Sequence, residues 1–229
     1  LSFRFIEEIA PGARRLLAAD VAFRLPFERR ARAEDGRRHI GLNVSGLLWS
    51  EAEKGSNRFG LGYDYAAFTR ALLDQFTADP QVQVHLITHV VSKSAGDDDD
   101  GPVADRLAAA YPTAIRVPDF GDPSAVKSYI SGFDLMLSAR MHACIAAFSS
   151  GVPVIPIAYS RKFTGLFEGV LHYPHTLPQT AADPEAFVVE RLGRLDALRM
   201  DVTAGLERVE PLLGGYVDAL AALFTDLRR

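Results

Sequence analysis

From His39 onward five short apolar runs, IGLNVSGLLW, VQVHLITHVV, AIRVP, FDLMLSA and VPVIPIA, alternate with helical patterns at about 62–78, 102–111, 123–131 and 141–150. This alternation constrains the chain more than any other feature. Strands buried on both faces read as nearly continuous apolar runs, and strand–helix alternation implies parallel strands with right-handed crossovers. The expected fold is α/β, a Rossmann-like doubly wound sheet of about five parallel strands. Asp122-Pro123 reads as a helix start and Gly151 as a helix stop.

The flanks read differently. Residues 2–9 predict a short helix, and RRLLAADVAFRLP an extended segment ending near Pro26. FERRARAEDGRR is charged and lacks apolar periodicity, so it marks a boundary. The expected organisation is a tail of another domain at 1–30, a linker at 31–38, and a Rossmann-like domain with a helical tail at 39–229. Asp183-Pro184 starts a helix in that tail, and GYVDALAALFTDLRR reads as an amphipathic closing helix. Leu1 is not an initiator methionine, so the chain is expected to be cut from a longer one.

Composition sets limits on function. The net charge of -4 over 229 residues argues against a nucleic-acid surface. One cysteine, Cys144, rules out a disulfide within the chain and fits a reducing compartment. No run reaches the ~18 apolar residues of an integral membrane segment. The expected location is the cytoplasm, either free or at the inner face of the membrane. Oligomeric state is not legible.

Ligands of an open parallel sheet bind beyond the carboxyl ends of its strands. Arg140 and His142 follow one apolar run and open the next helix; Tyr159, Ser160, Arg161 and Lys162 follow the neighbouring run. Both groups therefore lie on one rim, where a helix amino terminus adds free N–H groups. Taken alone, Arg140 reads equally well as a salt-bridged surface residue, and His142 as a half-buried one. Together with the second cluster they read as an anion site. His89 ends another run on the same rim, with His85 deeper along that strand in a core or surface role. Asn43 and Ser45 end the first strand, and Gly46 allows close backbone approach to a ligand; a plain strand-to-loop turn is the alternative.

Asp97 to Asp100 lack the spacing of a calcium loop and read as a solvated loop. His172 and His175 read as surface loop residues. No metal-ligand set is recognised.

The stretch LSARMHACIAAFSSGVPVIPIAYSRKFTGLF, with its R-M-H-A element, G-x-P-V and Y-S-R-K-F, resembles the polysaccharide pyruvyl transferase family, as do DVAFRLP, GLNVSGLLW and HLITHVV. The resemblance covers residues 1 to about 170. It implies the C-terminal half of a GT-B-like two-domain fold, with the active site in the cleft and most of the first domain missing. A fragment of that kind is expected to be inactive alone. It also implies transfer of pyruvate from phosphoenolpyruvate to hydroxyls of a sugar or glycan acceptor, forming a ketal, with no cofactor.

The roles implied are Arg140 gripping the carboxylate or phosphate, His142 exchanging protons, Lys162 with Arg161 holding the phosphate, Tyr159 and Ser160 orienting neighbours, and His89 assisting. Asn43, Ser45 and Gly46 complete the donor-binding set. Two other readings compete. One is a GT-B glycosyltransferase using a nucleotide sugar, against which stands the late position of Glu168, the first acid after GVPVI. The other is a non-catalytic glycan- or partner-binding module, against which stand the intact Arg140 and His142.

Overall fold

The computed structural model describes residues 2–13, 15–92 and 98–226. A helix, α1 (Ser2–Ile9), leads into an irregular segment with a 3-10 turn at Val21–Arg24. Then come β1 (Arg38–Asn43), α2 (Gly46–Glu53), α3 (Tyr65–Ala78), β2 (Val82–Leu86), α4 (Gly101–Ala110), β3 (Ile115–Arg116) and α5 (Pro123–Ile130). The rest is β4 (Leu135–Ser138), α6 (Met141–Ser149), β5 (Val154–Pro156), α7 (Arg161–Phe163) running into a π-helical turn, α8 (Pro184–Leu192) and α9 (Leu195–Asp226).

The five strands form one parallel sheet in the order β3-β2-β1-β4-β5. The order reverses between β1 and β4, so that pair is the topological switch point. Asn43 is in register with Ser138, and Ser138 with Pro156, which aligns the carboxyl ends of β1, β4 and β5 along one rim. Alternate residues feed two cores. Ile40, Leu42, Leu135, Leu137 and Ile155 pack towards α2, α3 and α8, whereas Met136 and Val154 pack with Phe148 and Phe167 on the other face. Burying each such side chain contributes about 1.5–3 kcal/mol, and this two-sided burial makes the strand sequences almost wholly apolar.

Local chemistry sets the boundaries. Asp122 caps α5 by accepting from the Ser124 amide at 3.0 Å, and Asp183 caps α8 through the Ala186 amide at 2.8 Å, each with proline in the first turn. Gly151 takes φ +79° just past α6, as a stop glycine does. Two segments depart from expectation. GLNVSGLLW is not one strand: Ser45 turns the chain and caps α2 through the Leu48 amide. The segment before Pro26 is not wholly extended, because Asp20 caps the 3-10 turn through the Ala22 amide at 2.9 Å. Beyond that turn the charged stretch lies along α5. Lys127 Nζ donates to the Phe23 and Leu25 carbonyls, and Ser128 and Ser131 accept from the Glu28 and Arg30 amides.

His85 is a core residue, 6% exposed, in a hydrogen-bonded row across the sheet. Tyr129 Oη lies 3.1 Å from His85 Nδ1, His85 Nε2 lies 2.9 Å from His39 Nδ1, and His39 Nε2 lies 3.1 Å from Asp35. With both rings neutral, each donor in that row meets one acceptor. Burial first, then electrostatic interaction with His39, Arg30 and Arg37, lowers the His85 pKa from 6.5 to about 4, against the pull of Asp35. The folded chain thus binds fewer protons than the unfolded chain below pH 6.5. Stability is complete above that value and falls as pH drops towards 4, by on the order of 3 kcal/mol for this group. Urea unfolding of wild type and His85→Gln at pH 7 and 4.5 checks this: the variant should lose less on acidification, and equal losses would acquit His85.

Candidate active site

The carboxyl rim of the sheet is organised by a residue from the acidic loop. Asp100 is fully buried, not solvated, and accepts six hydrogen bonds. Oδ2 takes Asn43 Nδ2 at 3.0 Å and the His89 and Val90 amides at 3.2 and 3.1 Å. Oδ1 takes the Gly46 amide at 3.0 Å and Arg140 Nε and Nη2 at 3.1 and 2.6 Å. One carboxylate thereby ties together the ends of β1, β2 and β4 and the first turn of α2. It occupies the switch-point crevice, where open α/β sheets receive ligands.

Four of the expected donor-binding residues therefore have other work. Arg140 is not a free cation. It is 7% exposed, with Asp100 on one edge of its guanidinium and, on the other, the Asp98 carboxylate at 2.7 Å and carbonyl at 2.6 Å. Burial opposes its charge, but Asp100 and then Asp98 outweigh that and raise its pKa. Asn43 is fully buried and saturated, donating to the Ile87 carbonyl and Asp100 and accepting from Ser138 Oγ at 2.8 Å. Ser45 is fully buried, with its amide on Tyr65 Oη and its hydroxyl capping α2. Gly46 does allow a close approach, but of the acidic loop: a Cβ there would lie 1.9 Å from the Asp99 carbonyl oxygen. Asp97 of the acidic run lies outside the described residues.

The remaining candidates lie outward of this plug. His142 is 63% exposed on the first turn of α6, with Nε2 3.5 Å from Asp20 Oδ2. His89 is half-buried, and its Nδ1 is shielded with no hydrogen-bond partner among the described residues. Burial, then the charges of His142 and Arg140, lower its pKa to about 4, although Asp100 pulls the other way, so it is neutral at physiological pH.

Ser160, Arg161 and Lys162 line a groove of about 980 Å³ with Asp20, Met141, Phe5 and Leu166. Arg161 and Lys162 are exposed, and neither forms an ion pair among the described residues. Tyr159 is half-buried, edge-on to Phe59 at 5.0 Å and tilted against Phe163 at 5.5 Å, and burial raises its pKa. It braces the turn that carries the two cations.

Two other histidines fall outside the site. His172 is an exposed loop residue. His175 is half-buried, not a surface residue, and pairs with Asp201 at 2.8 Å. Three residues that sequence reasoning did not place in the site, Asp20, Asp98 and Asp100, make its principal ionic contacts. The signal for Asp100 was Asp-Gly-Pro at a helix start; for Asp20 it was Asp three positions before a buried aromatic, Phe23.

Removing one partner of a buried ion pair leaves an uncompensated charge and costs about 3–5 kcal/mol, whereas an exposed pair contributes about 1 kcal/mol or less. Arg140→Met should therefore lower unfolding stability by the larger amount and Asp98→Ala by the smaller. Urea titration at pH 7 reads both, and equal losses would show that the outer contact matters as much as the buried one.

No helix among the described residues is long and apolar enough to cross a membrane. Among curated proteins, none matches the chain. A solved structure, the glycotransferase of kitacinnamycin, is similar at 15% identity and a TM-score of 0.41 over 86% of this chain. The match covers 46% of that structure, so this chain spans under half its length. The sequence profile of polysaccharide pyruvyl transferases matches residues 2–161, more than half of the chain. The chain belongs to the polysaccharide pyruvyl transferase family.

Proposed function

We propose that this chain carries the donor site of an enzyme that moves a pyruvyl group from phosphoenolpyruvate to sugar hydroxyls, forming a ketal and releasing phosphate. The observation that carries the reading is the groove itself: Arg161 and Lys162, with no ion pair among the described residues, share it with Asp20, which lies 3.5 Å from His142. A small donor with a carboxylate and a phosphate calls for cations close together. Lys162 and Arg161 are assigned to those anionic groups, with Ser160 and Tyr159 orienting them. His142 is assigned as the general acid, and the neutral His89 as an acceptor of hydrogen bonds or protons at Nδ1. Arg140, with Asn43, Ser45 and Gly46, acts one layer deeper and fixes the rim.

His142 gives a proton to the methylene carbon, and the enol double bond supplies the electron pair of the new C–H bond. The neighbouring carbon becomes oxocarbenium-like, and a sugar hydroxyl oxygen attacks it while its proton returns to His142. Phosphate then leaves with the electron pair of its C–O bond, a second hydroxyl attacks the carbon, and that hydroxyl's proton goes to the departing phosphate, completing the ketal.

The plugged switch point favours this donor over a nucleotide sugar. The α2 amide that would meet a phosphate there already holds Asp100. In this reading the domain is one half of a GT-B-like pair. The exposed Phe5, Ile9, Leu16 and Val21, at 59%, 65%, 49% and 58%, suit contact with the other half.

Calorimetric titration of phosphoenolpyruvate into the chain, with the Arg161→Ala/Lys162→Ala double variant beside it, provides the test. Wild type should bind, the double variant should bind at least about 10-fold more weakly, and the wild-type affinity should fall as salt is raised. Binding of a nucleotide sugar with no response to phosphoenolpyruvate would defeat the reading.

A further inference from the structure

We infer that Asp20 is a positioning residue for His142, holding the ring through Nε2 and leaving Nδ1 as the nitrogen for proton transfer; this role rests on the proposed function. Four observations support it. Asp20 Oδ2 lies 3.5 Å from His142 Nε2, and the other carboxylate oxygen is taken by the Ala22 amide at 2.9 Å.

The segment bearing Asp20 is fastened on its far side. Phe23 is buried edge-on against Phe148 of α6, and Lys127 Nζ holds the Phe23 and Leu25 carbonyls. The carboxylate is thus carried on an anchored turn to the start of the helix that bears His142.

Among the residues lining the groove Asp20 is the one acid, facing a site whose other charges are Arg161 and Lys162. A carboxylate in the wall of an anion site repels the ligand unless it is paired, and His142 is the group within reach. Finally, a distance of 3.5 Å is longer than a formed hydrogen bond, and such contacts tighten when substrate closes the site.

The capping role and the positioning role separate cleanly. Asn caps as well as Asp does, so Asp20→Asn keeps the turn and removes the charge. The experiment is long-range ¹H–¹⁵N spectroscopy of the His142 ring in the ¹⁵N-labelled chain, together with phosphate release from phosphoenolpyruvate using methyl hexosides as acceptors. In wild type and Asp20→Glu the neutral ring should carry its proton on Nε2. In Asp20→Asn that preference should be lost, kcat should fall by about 10- to 100-fold, and KM for phosphoenolpyruvate should stay within about 2-fold.

An unchanged tautomer in Asp20→Asn, or a changed tautomer with unchanged kcat, would overturn the inference. If wild type releases no phosphate, as one half of a GT-B-like pair would, the proposed function is decided by phosphoenolpyruvate binding, and no binding defeats it. The tautomer then decides whether Asp20 holds His142.

Discussion

The rim depends on one buried ionic contact, Asp100 with Arg140. A carboxylate with no solvent exposure is costly unless its oxygens are fully occupied, and six donors from four separate segments occupy this one. The requirement runs both ways. The ends of β1, β2 and β4 are fixed relative to α2 because each must reach the same two oxygens. Ser138 adds a second tie, its hydroxyl donating to Asn43 and accepting from the Arg140 amide at 2.9 Å. The strand ends are thus linked by polar side chains beyond their backbone ladder, and the crevice between them is closed.

With the crevice closed, the other candidate residues lie outward of it. His142 stands on the first turn of α6, exposed, and the two cations stand on α7 and its approach, braced by Tyr159 against Phe59 and Phe163. Aromatic packing from one side and the turn at Asp20 from the other set the width of the groove between them. Rigid groups therefore define the walls, while the long side chains of Arg161 and Lys162 remain free to follow a ligand.

Much of this was legible in the sequence. The five apolar runs located all five strands, and Asp122-Pro123, Asp183-Pro184 and Gly151 located helix ends, because these features are local. The rim position of Arg140, His142, Tyr159 and Arg161 was also legible, since residues following parallel strands must share an edge. What Arg140 touches was not, because Asp98 and Asp100 lie 42 and 40 residues away. A run of four acids has the composition of a solvated loop, and the local signal at Asp100, Asp-Gly-Pro at a helix start, marks a helix end and not a burial. Only the sheet topology, which places the end of β2 beside that of β1, brings Asp100 under Gly46. The two readings of Asn43 and Ser45 could not be separated for the same reason: polar residues at a strand end look alike whether they await a ligand or already hold a partner.

The charge balance at the rim then determines where an anion can go. Arg140 brings one positive charge and meets two carboxylates, the buried Asp100 and the exposed Asp98, so the group is formally negative and disfavours an anion in the crevice. His89 adds no positive charge near neutral pH, because burial keeps it neutral. The attractive field at the rim comes from Arg161 and Lys162, with His142 contributing when protonated. An arginine committed to internal acids gives the site its shape, and cations without acid partners give it its attraction. Under the proposed function, that division directs a small dianion to the groove and away from the sheet.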